Sequence, residues 1–346
     1  MFRNYFKIAW RNLWKHKLFS FINIFGLASA LTVCLLAIAH IKGAFDYDSF
    51  HPNRDRIYRV LTDVVSTSND VVPYASSPVP LAGVLKRDYA FVEATARITR
   101  TYGEISGNSC RLNLLAFAVD PGFFRVFGYP LAQGKPATEP GTAVVTRQTA
   151  EKFFGRNNPV GKMIAQEGML PALITGVLAD TPTRSHLKFD VLFSLATGRT
   201  ATVPSLFQDW RDYQTGYTYV LLKPGMASEN LQKVLPAVAR RAIKGLRFRH
   251  EKGYRFRLQA FTNIAPSRET LMNATYEPQI SGLLVEMGVG LLTLLMAGFN
   301  YINLTLARSL SRARGLCASP HIVGVSARAG ASEPNWFAGY QRGVAS

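Results

Sequence analysis

Two long apolar runs stand out against an ordinary mixture of polar and apolar positions along the chain. The runs Leu18–Ile41 and Met287–Ala307 contain no formally charged side chain. A helix needs roughly 20 apolar residues to cross the hydrocarbon core of a bilayer, and both runs reach that length. The pattern therefore predicts two membrane-spanning helices with a folded segment between them.

The first 17 residues have another pattern, in which aromatic and basic side chains occupy opposite faces of a predicted helix. At 100° per residue, Trp10 and Trp14 share a broad apolar face. Basic residues recur every four positions on the other side: Arg3, Lys7, Arg11 and Lys15. Such an amphipathic helix lies in the membrane interface, with its cations toward anionic headgroups. The alternative is a basic flank that only orients the first span, and the two tryptophans favour the interfacial helix.

The segment between the apolar runs mixes strand-like and helix-like stretches. Runs rich in β-branched residues predict strands at 57–65, 142–146, 172–178 and 218–223. Helical patterns occupy 148–154 and 228–243, and Ser228 is the expected N-cap of the second. Interspersed short strands and helices predict the class α+β. The expected architecture is a large extracytoplasmic mixed α/β domain, flanked by two transmembrane helices and preceded by the amphipathic interfacial helix.

The distribution of charge, more than the net charge of +18, sets the expected orientation. The first carboxylate in the chain is Asp46, and the second apolar run is followed by Arg308, Arg312 and Arg314. Because cytoplasmic flanks of membrane spans are rich in Lys and Arg, both termini are expected in the cytoplasm and the domain outside. Nucleic acid does not reach that compartment, so no nucleic-acid partner is predicted. The basic cluster within 240–257 is interpreted as a solvated face, with contact to lipid headgroups as the alternative.

Motifs for catalysis or cofactor binding are sparse. The string GRNNPVGKM (155–163) resembles a phosphate-binding loop, but five residues separate its glycines. Met163 also follows Lys162, where a true loop has a Ser or Thr to hold magnesium. Gly161 is therefore expected in a turn. No catalytic, cofactor-binding or metal-binding residue is predicted.

The histidines and the carboxylates near the first span receive structural interpretations. His51 and His186 are expected to be structural residues in turns, and His40 is expected at the membrane interface. Solvated or capping roles are assigned to Asp46 and Asp48.

Polar residues within the second span imply neighbouring helices. Asn300 and Asn303 lie near its inner end and are interpreted as helix-packing contacts, whereas Glu286 at its outer edge receives no role. Two spans alone cannot satisfy such groups well, so partner helices are expected.

Several blocks of residues, in a fixed order over about 1–313, resemble the amino-terminal half of a MacB/FtsX-type ABC transporter permease, particularly the long versions common in Bacteroidetes. The blocks are NYFKIAWRNLWKHKLFSFINIFGLA (4–28), DYDSFHPNRDRIYRV (46–60), VDPGFFRVFGYPLAQG (119–134), GTAVVTRQTAEKFFGRNNPVGK (141–162), ITGVLADTPTRSHLKFDVLFS (174–194) and FNYINLTLARSLSRA (299–313).

The resemblance implies a permease subunit of the bacterial inner membrane that couples ATP hydrolysis by a separate cytoplasmic ABC ATPase to movement in the periplasm. It also implies a homodimer or partner permease helices. Because hydrolysis belongs to the ATPase, the chain itself is not expected to be an enzyme. Mechanical roles carry over to the interfacial helix and to the inner end of the second span, at Trp10, Arg11, Trp14, Asn300, Asn303 and Arg308.

The expected division of the chain follows from the apolar runs and the resemblance together. It consists of a cytoplasmic amphipathic interfacial helix (1–17), a transmembrane helix (18–41), a periplasmic MacB-like core domain (42–281), a second transmembrane helix (282–304) and a cytoplasmic tail (305–346).

The tail departs from the family pattern after about Gly315, where a basic coupling segment and further spans are expected. We expect a frameshift, a premature stop or an incomplete gene model to account for this departure. The alternative function is a two-span membrane sensor whose periplasmic domain binds a ligand, although roughly 40 cytoplasmic residues are few for a signalling domain. A membrane-anchored enzyme is disfavoured by the missing site motifs.

Overall fold

The computed structural model describes residues 3–4, 11, 14, 17–108, 110–181, 184–197, 207–248 and 251–317, with the backbone alone described at 19, 304, 307–308 and 310–317. Compact packing divides the chain into two units. One unit is Thr32–Leu291, and the other comprises the described parts of Met1–Leu31 and Leu292–Ser346.

Two long apolar helices correspond to the predicted spans. Helix α1 (Lys17–Phe45) and helix α6 (Ile280–Cys317) contain the stretches Ser20–Phe45 and Ile280–Asn303, which are long and apolar enough to cross a membrane. Only 6% and 11% of their most apolar windows are buried within the protein. A helix that is apolar all round and yet exposed is suited to lipid and not to a soluble core. Helix α6 runs past the expected span boundary at 304, and residues 318–346 of the expected tail lie outside the described residues.

The shorter α-helices between the two long ones include α2 (Pro80–Asp88), α3 (Gly122–Phe127), α4 (Arg147–Phe154) and α5 (Ser228–Ile243). The N-cap of α4 is Thr146, whose hydroxyl accepts a hydrogen bond from the Thr149 backbone N–H. The helices predicted at 148–154 and 228–243 are confirmed. The expected N-cap at Ser228 is wrong, because Ala227 occupies that position without a side-chain cap.

Thirteen strands form one mixed sheet among the described residues. They are β1 (Ile57–Ser66), β2 (Val71–Tyr74), β3 (Val92–Thr101), β4 (Ile105–Gly107), β5 (Cys110–Leu112), β6 (Ala116–Val119), β7 (Leu131–Gly134), β8 (Thr142–Thr146), β9 (Met163–Gln166), β10 (Ala172–Leu178), β11 (Val191–Ser194), β12 (Gly216–Leu222) and β13 (Glu251–Ala260). The strands predicted at 57–65, 142–146, 172–178 and 218–223 are confirmed, the last starting two residues early.

The sheet runs in the order β13-β1-β12-β3-β6-β11-β8-β10-β9-β4-β5, with β2 beside β1 and β7 beside β10. Pairs β6–β11 and β8–β10 are parallel, and the other neighbours along this order are antiparallel. Each parallel pair is separated in sequence by a crossover that includes a helix, as parallel pairing requires. The predicted α+β class is confirmed as this mixed sheet domain.

Three groups of buried apolar side chains form the core. One lies under α2 and α5, one lies around α4, and a central one is rich in aromatic rings from α3 and its surroundings. The string GRNNPVGKM lies at the end of α4, where Gly161 has φ +89° in a turn, as expected. The Lys162 ammonium sits 4.9 Å from the centre of the Phe154 ring, which gives that lysine a structural contact.

Candidate functional site

The first junction, between helix α1 and the sheet domain, contains the buried carboxylate of Asp48. This residue lies three positions after α1 ends at Phe45. Asp48 is 4% exposed, and its backbone N–H donates to the Arg184 carbonyl at 2.8 Å. Its Oδ1 accepts a hydrogen bond from Ser185 Oγ at 2.6 Å, and its Oδ2 lies 2.6 Å from His186 Nδ1. The expected solvated or capping role of Asp48 is therefore wrong, because the chain folds back over this turn and closes it off from water.

Electrostatics favour the ionised form of this carboxylate. Burial alone raises the pKa of Asp48, but the charge of His186 and the hydrogen bonds from His186 and Ser185, with His51 Nε2 3.6 Å away, together outweigh burial. The net effect holds the pKa of Asp48 well below its ordinary value. Asp48 is thus a fixed anion inside the domain.

His186 links Asp48 to a strand of the sheet through its two ring nitrogens. With Nδ1–H donated to Asp48, its Nε2 lies 2.8 Å from the hydroxyl of Tyr219, which is fully buried on β12. Burial raises the pKa of Tyr219, so the hydroxyl keeps its proton. His51 lies on the other side of the carboxylate and donates from Nδ1 to the Phe127 carbonyl at 2.7 Å. The expected structural roles of His51 and His186 are supported by these contacts.

The second junction is also a buried carboxylate, three residues before α6 begins at Ile280. Glu277 Oε1 accepts a hydrogen bond from Arg59 Nη2 at 3.0 Å, and both side chains are almost completely buried. Arg59 also donates from Nε and Nη2 to Gln259 Oε1, at 3.0 and 2.7 Å. Burial raises the pKa of Glu277, but the Arg59 charge and further contacts lower it below its ordinary value. Glu277 is therefore a second fixed anion.

The register of the sheet joins the two junctions. Arg59 on β1 is the direct cross-strand neighbour of Tyr219 on β12 and of Gln259 on β13. Burial lowers the pKa of Arg59, but the Glu277 carboxylate outweighs burial and raises this pKa above its ordinary value. The backbone N–H of Tyr276 also donates to the His186 carbonyl at 3.0 Å. We call two sets of polar contacts together the junction network: those from Asp48 through His186 to Tyr219, and those from Arg59, the cross-strand neighbour of Tyr219, to Glu277.

Aromatic rings enclose the network. Phe261 lies 5.2 Å, centre to centre, from both His51 and His186, and Phe127 lies 5.0 Å from Tyr219. These rings belong to the central core group. By excluding water they strengthen each polar contact, and they raise the cost of leaving any one of them unmade.

The spans themselves meet within the unit Thr32–Leu291. Cys34 Sγ on α1 donates to the Gly290 carbonyl on α6 at 3.2 Å, and a Cβ on Gly290 would lie 3.7 Å from that sulfur. His40 Nδ1 lies 2.7 Å from Glu286 Oε2. Glu286, which received no role from the sequence, thus pairs with the first span.

The residues with expected mechanical roles remain separate from the junction network. Arg11 and Trp14 are exposed on helical backbone, and Trp10 lies outside the described residues. Asn300 Nδ2 is 3.9 Å from the position that a Cβ on Gly26 would take. Asn303 is exposed on α6, and Arg308 lies on α6 without a described side chain. Their mechanical roles stay predictions.

The basic cluster within 240–257 is largely a solvated face, as expected. Arg240, Lys244 and Arg247 are exposed. Among the described members of the cluster, Arg257 differs in being half-buried, and it forms ion pairs with Asp63 and Glu269. No group of three or more His, Cys, Asp or Glu side chains in the described part of the chain could hold a metal ion.

Sequence reasoning missed the residues at the centre of the network: Arg59, Tyr219 and Glu277. One sequence feature could have pointed to Arg59, which is the single charged residue in the first half of the apolar strand IYRVLTDVV. An arginine in a strand covered on both faces requires a buried partner.

Comparisons with known proteins identify the family of this domain. The profile of the MacB-like periplasmic core domain family matches residues 20–238. A domain of a protein from Porphyromonas gingivalis described as a permease is similar in structure, with 20% identity, 68% of this chain and 98% of that chain covered, and a TM-score of 0.53. No curated protein sequence matches the chain at a significant level.

Two more distant likenesses are to the periplasmic region of MacB from Actinobacillus actinomycetemcomitans and to the extracellular domain of the noncanonic ABC-type transporter YknZ from Gram-positive bacteria. The first has 14% identity, 61% and 91% coverage of the two chains, and a TM-score of 0.45. The second has 15% identity, 58% and 99% coverage, and a TM-score of 0.41. At such identities a structural likeness concerns the fold and not the activity.

Proposed function

Because the chain belongs to the family with a MacB-like periplasmic core domain, we propose that it is the permease subunit of an ABC-type exporter or mechanotransmission complex. It is a membrane protein with a periplasmic domain. In the proposed function, a separate cytoplasmic ATPase subunit hydrolyses ATP, and the spans carry the resulting movement to the periplasmic domain. The chain works in the bacterial inner membrane, with both termini in the cytoplasm and a second copy or partner permease helices beside it.

The division proposed for this function follows the expected boundaries. Residues 1–17 lie in the cytoplasmic interface, 18–41 and 282–304 cross the membrane, 42–281 form the periplasmic domain and 305–346 form a cytoplasmic tail. Trp10, Arg11 and Trp14, together with Asn300, Asn303 and Arg308, transmit movement at the cytoplasmic side.

The observation that carries the proposal is the junction network. Asp48 and Glu277 each lie three residues from a spanning helix, and both are held inside one sheet through His186, Tyr219 and Arg59. Movement of either junction relative to the sheet would break buried charged contacts, at a cost of several kcal/mol. The outer ends of the spans therefore move together with the sheet, as a transmission device requires.

Co-purification tests the proposal. The full chain and an ABC ATPase are expressed together and solubilised in mild detergent. The ATPase is expected to remain bound to the chain when a non-hydrolysable ATP analogue is present during purification. The variant Trp14→Ala is expected to weaken this association, whereas Met226→Ala, an exposed apolar side chain of the sheet domain, is the matched control. Failure of every ABC ATPase of the source organism to associate would refute the permease role.

Coupling is tested separately from association. Glu277→Gln is expected to leave ATPase binding intact and to lower transport per ATP hydrolysed, because it loosens the second junction. Glu269→Gln is the matched control, since Glu269 lies on the same connecting segment and also pairs with an arginine, but is 41% exposed. Equal effects of the two substitutions would contradict a coupling role for the network.

A two-span ligand sensor is the second candidate, and one cavity of the domain favours it. This cavity holds about 460 Å³ and includes Tyr129, Phe189, Arg147 and Asp180 in its lining. Small-molecule sites have volumes of roughly 300–1,000 Å³. Ligand-dependent stabilisation of the full chain in the absence of any ATPase would favour the sensor.

A further inference from the structure

A groove that the junction network does not use lies beside the outer end of the first span. Its volume is about 690 Å³, within the roughly 300–1,000 Å³ of ligand sites. The lining comes from α1, from the turn after it and from the segment before β11: Leu36, Ala39, His40, Gly43, Asp46, Thr181 and Arg184. The groove therefore has room for a ligand where the spanning helix enters the domain.

Charges of both signs face this groove. Arg184 and Asp46 are exposed, and neither has an ion-pair partner within the part of the chain that the structure describes. His40 bonds Glu286 through Nδ1, so its Nε2 remains for a ligand. The groove thus offers one site for an anion and one for a cation.

The wall of the groove is apolar and continues along the spanning helix. Leu36 is 65% exposed, on a helix whose outward surface is suited to lipid. A ligand that fills the groove therefore needs a polar group with both charges at one end and hydrocarbon at the other. A small soluble ion would leave this wall uncovered.

A phosphoethanolamine head group has this combination. Its phosphate suits the guanidinium of Arg184, because guanidinium groups bind phosphate through parallel N–H···O contacts. Its primary ammonium suits the Asp46 carboxylate, and its acyl chains would follow Leu36 into the bilayer. A phosphatidylglycerol head group has no cation for Asp46, and the quaternary ammonium of phosphatidylcholine has no N–H to donate. We propose that the groove binds a phospholipid with a phosphoethanolamine head group from the outer leaflet.

The site is coupled to the junction network through the backbone. The carbonyl of Arg184 accepts the N–H of Asp48, and the next two residues, Ser185 and His186, bond the Asp48 carboxylate. A bound lipid would thus lie against the first junction and steady the turn between span and domain. The proposal depends on the membrane location of the spanning helices and not on an ATPase, so its failure and that of the proposed function are distinguishable.

Native mass spectrometry of the purified full chain tests the lipid site. The chain in detergent is titrated with phosphatidylethanolamine, phosphatidylglycerol and phosphatidylcholine of identical acyl chains. Phosphatidylethanolamine is expected to bind about tenfold more tightly than either other lipid, which corresponds to ~1.4 kcal/mol. Arg184→Gln is expected to remove about tenfold of that affinity, whereas Arg240→Gln, an exposed arginine on α5, leaves it unchanged.

Asp46→Asn supplies an independent arm with a charge-specific result. It is expected to weaken phosphatidylethanolamine binding and to leave or improve phosphatidylglycerol binding, so that the preference between the two disappears. Both side chains are exposed, and unchanged melting temperatures of the variants confirm that the fold is retained. Equal affinity of the wild type for all three lipids, identical behaviour of the Arg184 and Arg240 variants, or displacement of the lipid by millimolar inorganic phosphate would each overturn the proposal.

Discussion

Replacement of Arg59 by methionine tests whether the junction network stabilises the domain. The substitution leaves the Glu277 carboxylate, whose side chain is 1% exposed, without its cation, and Gln259 Oε1 without both donors from Arg59. Removal of one partner from a buried ion pair costs about 3–5 kcal/mol, because the remaining charge is kept from water. At about 2–4 °C per kcal/mol for a domain of this size, the melting temperature is expected to fall by roughly 6–20 °C.

The assay is thermal unfolding of the purified full chain in detergent, followed by tryptophan fluorescence. Trp210 packs against the core under α2 and α5 and reports on the sheet domain. Arg255→Met is the matched control, since Arg255 lies on β13, is 64% exposed and is 3.6 Å from Asp63. Exposed ion pairs contribute about 0–1 kcal/mol, so this control is expected to melt within a few degrees of the wild type.

The double variant Arg59→Met/Glu277→Leu separates charge burial from simple loss of packing. Replacement of both members of a buried ion pair by apolar side chains is often close to neutral. The double variant is therefore expected to recover most of the stability that Arg59→Met loses. The reasoning is refuted if the single variant is no worse than Arg255→Met, or if the double variant is less stable than the single one.

Three further predictions concern other parts of the fold. Because the pKa of Asp48 is lowered in the folded state, its ionised form stabilises the protein fully above about pH 5, and this stabilisation shrinks as the pH falls below about 4. The urea concentration at the unfolding midpoint should therefore be higher for the wild type than for Asp48→Asn at pH 7, and this difference should be smaller at pH 3. A Cβ on Gly122 would lie 1.9 Å from the Thr95 carbonyl oxygen, so Gly122→Ala is expected to lower the melting temperature strongly. Gly83 lies in open space on α2, so Gly83→Ala should raise the free energy of unfolding by about 0.5–1 kcal/mol. Equal effects of the two substitutions would contradict the packing described. Because a Cβ on Gly290 would lie 3.8 Å from the Cys34 Cα, Gly290→Cys is expected to form a disulfide with Cys34 on mild oxidation. The side chain of Leu291 is 57% exposed, and Leu291→Cys is not expected to form this disulfide. Peptide mapping distinguishes the two results.

The elements that sequence patterns predicted well are those determined by neighbouring residues. The strand 142–146 and the helix 148–154 depend on local β-branched and amphipathic patterns, and both appear as expected. The two spans depend only on the length of an apolar run. The turn at Gly161 could likewise be predicted, because the spacing of the two glycines in GRNNPVGKM does not match that of a phosphate-binding loop.

The junction network could not be predicted in the same way, because its members are distant in sequence. His186 lies 138 residues from Asp48, and Glu277 lies 218 residues from Arg59. The contacts arise from strand order and register, which place Arg59 opposite Tyr219 on one side and Gln259 on the other. Local patterns carry no information on this register, so the sequence predicts a solvated or capping role for Asp48, which the fold buries.

Charged groups at the two junctions suit a transmission role better than apolar contacts would. An apolar contact loses little when two surfaces slide by a small distance, because dispersion attraction is non-directional. A buried hydrogen bond between charged groups has a fixed length and angle, and the penalty for leaving its members unpaired appears as soon as the contact opens. Carboxylates placed three residues from each span therefore define one position of each spanning helix against the sheet. Under the proposed function, this arrangement lets a movement that begins in the membrane reach the sheet domain without being absorbed at the junctions.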